Sequence, residues 1–314
     1  MFSTVTTVLP IFALIFAGYL SRKLNLLGPN AATELNRFVI YLALPALLFE
    51  IMAKASWSQL AQRVLIAAFG LGAVIVFVLT LAVRARGRRH LADAAVDAIA
   101  AAYANTGYIG FPLCLIVFGR SSLTSVTIAT IITVCVLFAI AIVIIEISLQ
   151  TEQHRVRLLR KVGWALLRNP LLASPLLGAL YAASGLHITG SADTFFQMLG
   201  GAASPCALVG LGLFLAQARR ASPSHGRLPF WLAGAKLVLQ PALTWFFAYR
   251  VFALPAASAQ VAVLLAALPT GTGPFMLAEF YRREAVLTSQ TILFSTLGSL
   301  LTLPLLLLLM KHGM

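Results

Sequence analysis

The sequence predicts an all-α polytopic membrane protein with ten transmembrane helices, and three observations carry that prediction. Of its 314 residues, 60% are hydrophobic and only 10% are charged, against about 25% charged in a soluble domain. Apolar stretches of 18 or more recur along the chain, each enough to cross a hydrocarbon core of about 30 Å. Once ten spans are drawn, the basic residues separate onto one side. This composition excludes a cytoplasmic enzyme, a secreted domain and a disordered chain. Ten spans of about 20 residues use about 200 positions and leave only short loops.

The spans are expected at residues 5–20, 36–53, 64–83, 94–118, 123–148, 165–184, 194–216, 229–252, 258–281 and 286–310. The apolar N-terminus lacks a basic leader and a small-residue cleavage site, so it reads as the first span and not as a removed signal peptide. The loops after odd-numbered spans hold 17 basic residues, among them Arg84, Arg86, Arg160, Arg168, Arg282 and Arg283. The other side holds Lys54, Arg63, Arg120, Arg250 and Lys311, and Lys236 alone falls deep inside a span, away from its ends. Basic residues gather in cytoplasmic loops, so both termini are expected on the outer face. The same rule accounts for the net charge of +14 without nucleic acid. Cys114, Cys135 and Cys206 lie in apolar stretches without CxxC spacing and read as core residues. No cofactor or metal is implied, and no role falls to the histidines.

Two halves resemble each other at an offset near 160: Pro10 matches Pro170, Gly18 matches Gly178 and Pro45 matches Pro205. With the offset slipped to 162, Pro112 matches Pro274. The expected units are 1–149 and 165–314, joined by a short linker at 150–164. Each unit holds five spans, an odd number, so the second copy enters the membrane inverted. Inverted repeats with interrupted helices in matching places mark secondary transporters.

The interruptions fall in spans four and nine. Span four reads Asn105-Thr106-Gly107 through Gly110-Phe111-Pro112, and span nine reads Pro269-Thr270-Gly271-Thr272-Gly273-Pro274. Proline removes a donor and clashes with the preceding turn. Freed backbone groups must face protein or a water-filled cavity. Each second half-helix starts near the membrane middle with free N–H groups and partial positive charge, so two opposed starts attract a carboxylate. The candidate substrate residues are Asn105, Thr106, Gly107, Gly110, Pro112, Pro269, Thr270, Gly271, Thr272, Gly273 and Pro274, with neutral hydrogen bonds from Asn105 and the threonines. The alternative is a pair of packing kinks. Pro45 and Pro205 read as kinks with small-residue packing faces, and Asn36 as a cap or boundary residue.

Glu50, Asp97, Glu146, Asp193 and Glu279 fall near span ends and read as solvated or snorkelling. Lys236, about 10 Å inside span eight at 1.5 Å per residue, has two readings. It either snorkels to the surface or supplies a counter-charge to an anion or a helix C-terminus.

The stretches Asn36-Arg37-Phe38-Val39 through Leu44-Pro45-Ala46-Leu47-Leu48-Phe49, Asn105-Thr106-Gly107 through Gly110-Phe111-Pro112, Ala267-Leu268-Pro269-Thr270-Gly271 through Pro274-Phe275, and Asn169-Pro170 resemble the auxin efflux carrier family over almost the whole chain. The short segment from Gln150 to Ala165 makes it similar to the bacterial branch described as malonate or malate transporters. The resemblance implies two inverted five-helix repeats, a fold like those of sodium/proton antiporters and bile-acid symporters. Spans four and nine then cross at Pro112 and Pro274, with Asn105 holding a substrate carboxylate. It also implies elevator-like movement against a scaffold of spans one, two, six and seven, a homodimer, and a bacterial inner membrane. The acidic member of the plant proteins' support site has no counterpart here.

The expected function is secondary transport of small organic anions (malonate, malate or auxin-like acids), coupled to a proton or to sodium. A rival is a sodium symporter of the bile-acid type, with an oxygen-lined site near Thr130, Thr133 or Ser295. An intramembrane enzyme is disfavoured by the absence of HExxH, GxSxG and a carboxylate pair.

Overall fold

A computed structural model describes residues 2–55, 61–86, 90–150, 164, 167–217 and 226–311. Most of the linker at 150–164, the start of the sixth span at 165–166 and several loop arginines therefore lie outside the described residues. The helices are α1 (Phe2–Lys23), α2 (Ala31–Ala53), α3 (Arg63–Arg86), α4 (Leu91–Ala102), α5 (Phe111–Phe118), α6 (Leu123–Leu149), α7 (Pro170–Ala183), α8 (Gly190–Ala216), α9 (228–251), α10 (Ala256–Ala266), α11 (Gly273–Phe280) and α12 (Ala285–Lys311).

Five of these, α2, α3, α6, α8 and α12, are long and apolar enough to cross a membrane. Spans four and nine fail that test because each is in two pieces. At 1.5 Å per residue, the 12 residues of α4 rise about 18 Å and the 8 of α5 about 12 Å. Neither half alone crosses a core of about 30 Å, but the two in series do. The 11 and 8 residues of α10 and α11 repeat the pattern.

Local chemistry sets the helix ends. Asn169 Oδ1 accepts from the Leu171 N–H, and Pro170 sits in the first turn, where its missing donor costs nothing. His90 Nδ1 accepts from the Ala92 N–H to cap α4 at 3.2 Å. The second span starts at Ala31, five residues before the expected 36. Asn36 is therefore inside α2, buried with Oδ1 unpaired, and not a boundary residue. Short π-helical segments widen α2 at Val39–Ala43, α6 at Ile131–Leu137 and α9 at Ala235–Leu239 and Phe246–Val251.

Packing sorts the helices into two groups. In one, α1 lies along the second part of α8, and α7 along the second part of α2. In the other, α3, α4, α6 and α9 to α12 pack on one another. The centre of this second group is alanine-rich. Ala92, Ala94, Ala95 and every residue from Val96 to Ala102 are buried, as are Val261 to Ala266. Small side chains let these half-helices approach closely. Ion pairs hold the arginine-rich end: Arg283 takes Asp93 in a fork at 2.8 and 2.6 Å, and Arg84 meets Asp97 at 2.7 Å. Asp97 is thus a buried, paired carboxylate and not a snorkelling one.

The α7–α2 contact depends on Gly178, where a Cβ would lie 2.5 Å from the Phe49 carbonyl oxygen. Gly178→Val forces these helices apart. The expected outcome is a lower thermal midpoint in detergent, equivalent to about 1–3 kcal/mol of overpacking strain. An unchanged midpoint would mean that the contact is loose.

Candidate substrate site at the crossing of two broken helices

Between α4 and α5 the chain leaves the helix at an extended Tyr103, turns at Asn105, where the Thr106 N–H donates to the Ala104 carbonyl, and winds through Thr106–Gly110. Between α10 and α11 it unwinds over residues 267–272. The two unwound segments lie side by side and antiparallel, with Ala104 bridged to Thr270. The Asn105 N–H donates to the Pro269 carbonyl at 2.9 Å, and the Gly271 N–H donates to the Tyr103 carbonyl at 3.1 Å. Backbone groups released by one break are satisfied by the other, as a non-polar surrounding demands.

Side chains complete the pairing. The Thr270 hydroxyl donates to the Ala100 carbonyl at 2.9 Å, and Ser295 Oγ on α12 accepts from the Thr270 N–H at 3.0 Å. Lys236 is fully buried, and its Nζ donates to the Ala266 carbonyl at 2.6 Å. Ala266 ends α10, so the Lys236 Nζ donates to the negative end of that half-helix dipole. Snorkelling is thereby overturned: nothing of Lys236 reaches the surface. Of its functional readings, the helix C-terminus is the one it contacts.

Tyr103 fills the angle between the breaks. A Cβ on Gly271 would lie 2.9 Å from its ring, and one on Gly273 would lie 2.6 Å from Cζ. These two glycines are required by a neighbour's bulk. An aromatic residue two positions before Asn105 in the Tyr103-Ala104-Asn105-Thr106-Gly107 stretch is a weak sequence trace of this role.

A cavity of about 550 Å³ opens on the crossing, within the range of small-molecule sites. Its floor is Tyr103, Asn105, Thr106, Gly107, Gly271, Thr272 and Gly273. Its walls are Leu44, Leu47 and Ile51 of α2, Thr127 and Thr130 of α6, and Ser204 and Ala207 of α8. It extends to Glu50 and Lys54 at the end of α2. Lys54 binds Glu50 at 2.8 Å and also Asp193, so this one cation is already shared between two carboxylates. Neither Thr106–Gly110 nor α11 has a side-chain cap at its start, so first-turn N–H groups there lack intrahelical partners. Thr106 Oγ1 is buried and unpaired.

The remaining sequence candidates lie behind the floor. Gly110 packs under Leu265 and Leu268. Thr270 is buried with both its donors engaged. Pro269 contributes a carbonyl to the pairing. Pro112 and Pro274 occupy the first turns of α5 and α11, where proline is tolerated. The crossing is therefore at Ala104 and Thr270, several residues before the expected prolines. The reason is that unpaired backbone is needed at the crossing, and the prolines start the next helix.

Gly273→Ala is expected to displace Tyr103 and abolish ligand-induced stabilisation. Gly210→Ala, whose Cβ would meet only Leu35 at 3.8 Å, keeps it. Equal ligand response in the two variants, measured by thermal shift, would refute the glycine requirement.

Comparison with known proteins agrees with the motifs. The family model described as membrane transport protein matches residues 3–307. The chain is 31% identical over 309 residues to a Rhizobium meliloti protein named "Putative malonate transporter", covering 98% of this chain and 95% of that one. It is 30% identical over 302 residues to an "Uncharacterized transporter" of Methanothermobacter thermautotrophicus, covering 95% and 96%. It is also 21% identical over 354 residues to "Auxin efflux carrier component 8" of Arabidopsis thaliana, covering 97% and 95%. With interrupted helices, apolar spans and a family match along almost its full length, the chain is a membrane transporter and not an enzyme, and it belongs to the membrane transport protein family that includes the auxin efflux carriers.

Proposed function

We propose that the protein is a secondary active carrier of small organic carboxylates, with malonate, malate and auxin-like acids as the class to test. The observation that carries this reading is the cavity floor. It combines uncapped helical starts, the unpaired Thr106 hydroxyl and the Asn105 amide in a space of about 550 Å³. These groups donate hydrogen bonds and present partial positive charge, which suits a carboxylate. Lys236 stabilises the floor from behind, through α10, and does not meet the substrate.

The same reading takes the chain as ten spans in two inverted copies, 1–149 and 165–314, linked through 150–164. Reciprocal packing supports it. Gly18 of α1 faces the Val209 carbonyl, and Gly178 of α7 faces the Phe49 carbonyl. Both positions and both partners are related by an offset of 160. The first packing group, α1, α2, α7 and α8, serves as scaffold, and the second carries the crossing in an elevator movement. The site of the inner membrane, outward termini and a homodimer through the scaffold belong to the same proposal.

The cavity runs toward Lys54, while a polar bridge closes the arginine-rich end. There the Tyr281 hydroxyl donates to Glu146 Oε1 at 2.6 Å and accepts from Asn169 Nδ2 at 3.1 Å. Asn169 starts α7 of the scaffold, whereas Tyr281 and Glu146 lie in the moving group. Opening this end requires breaking that bridge. The rival sodium-coupled reading finds less support. The Lys236 amine already occupies the half-helix end, donating to the Ala266 carbonyl, although Thr133 Oγ1 is buried and unpaired.

Purified protein in liposomes is expected to take up at least one labelled carboxylate. Asn105→Ala lowers uptake about tenfold or more, as expected for a lost hydrogen bond to a charged group. Folded wild-type protein that moves no carboxylate refutes the reading. Tyr281→Phe is expected to shift the resting population about fivefold toward opening on the arginine-rich side, the effect of roughly 1 kcal/mol of hydrogen bonding. Distances between labels on α8 and α12 report that shift.

A further inference from the structure

A second concavity lies outside the substrate site. It is a groove of about 610 Å³ between α6 and α7, with Val136, Ala139, Ile140 and Ile144 on one wall and Leu172 and Leu176 on the other. Val136 is 49% exposed and Leu176 58% exposed, so the groove faces outward and not into the core. Its α6 wall runs from Cys135 to Ile144, a rise of about 14 Å. One leaflet's hydrocarbon is about 15 Å deep. A lipid tail fits that length and that chemistry.

The end of the groove distinguishes one lipid from another. Leu167 lines it and is followed by Arg168, whose guanidinium lies 4.5 Å from the centre of the Trp164 ring. Trp164 is 57% exposed, and Arg168 is exposed too. Among the described residues, Arg168 meets no carboxylate. Exposed tryptophans gather at the headgroup level, and Trp164 precedes the groove-lining Leu167 by three residues. A guanidinium lying over an indole ring keeps its donors free for a phosphate. Arg168 also lies on the basic side of the chain, where anionic lipid concentrates if that side is cytoplasmic.

We propose that this groove binds one anionic phospholipid, its tail between α6 and α7 and its phosphate on Arg168. The two walls belong to the two packing groups, so bound lipid makes the relation of α6 to α7 depend on membrane composition. That consequence rests on the carrier reading; the binding itself does not.

The test counts lipid retained on purified protein by native mass spectrometry, with phosphatidylglycerol or phosphatidylcholine offered separately. Wild-type protein is expected to retain phosphatidylglycerol preferentially. Arg168→Gln weakens that retention about fivefold, the worth of one cationic side chain at an anionic surface. Ala139→Trp, which fills the groove, removes it. Equal retention of both lipids by wild-type protein overturns the proposal, and so does phosphatidylglycerol binding that Arg168→Gln leaves unchanged. Arg168 is exposed, so its replacement should leave the thermal midpoint in lipid-free detergent unaltered and the binding result interpretable. Because bound lipid is the readout, a negative result leaves carboxylate transport standing, and a failed uptake assay leaves the lipid site standing.

Discussion

Two short stretches of unwound backbone, lying against each other inside an apolar core, are the constraint on which the rest of the structure depends. A polar N–H or carbonyl without a partner is costly at that depth. The cost is removed by reciprocity: Asn105 bonds to Pro269, and Gly271 bonds to Tyr103. Each break is therefore tolerable only because the other exists. The surrounding sequence serves this pairing. Alanine-rich α4 and α10 allow the approach, Gly271 and Gly273 leave room for Tyr103, and Ser295 and Lys236 take the groups that the pairing leaves over.

The legible part of this design was that which changes backbone chemistry. Paired prolines and glycines reveal interruptions because they alter donors and allowed dihedrals directly, and runs of apolar residues reveal spans through length. Register was not legible. The prolines at 112 and 274 are conspicuous, yet they begin half-helices, and the contact falls at Ala104 and Thr270, which carry no local mark. Burial of single polar residues was equally hidden. Asn36 and Asp97 sit near sequence-defined span ends and look solvated there. The early start of α2 and the approach of Arg84 place both inside the protein. Which surface meets which is a tertiary fact, and the 3.6-residue period of a uniformly apolar helix does not encode it.

The offset between the halves carries more information than either half does. Gly18 and Gly178 are unremarkable as single residues in apolar helices. That each faces a backbone carbonyl at the equivalent position of the other copy ties sequence periodicity to three-dimensional contact. On the proposed two-copy arrangement the repeat is a packing rule: α1 lies on the second part of α8 as α7 lies on the second part of α2, and the proposed scaffold is formed by that exchange. The group proposed to move is made of the remaining spans, whose strongest contacts are with one another.

Charge placement narrows how an anion would be held. The cavity's one cationic side chain, Lys54, is engaged by Glu50 and Asp193 at the mouth. The other nearby lysine, Lys236, is behind the floor, with its Nζ on the Ala266 carbonyl. In the proposed site, attraction at the floor would thus come from peptide dipoles and neutral donors, each weaker than a full charge. Such a site can hold an anion and also let it go, which a carrier needs and a receptor does not. A fixed arginine in the floor would deepen the well and slow release. Lys236 instead bonds to the end of the broken helix, so the proposed site separates the amine that maintains the break from the groups proposed to touch the anion.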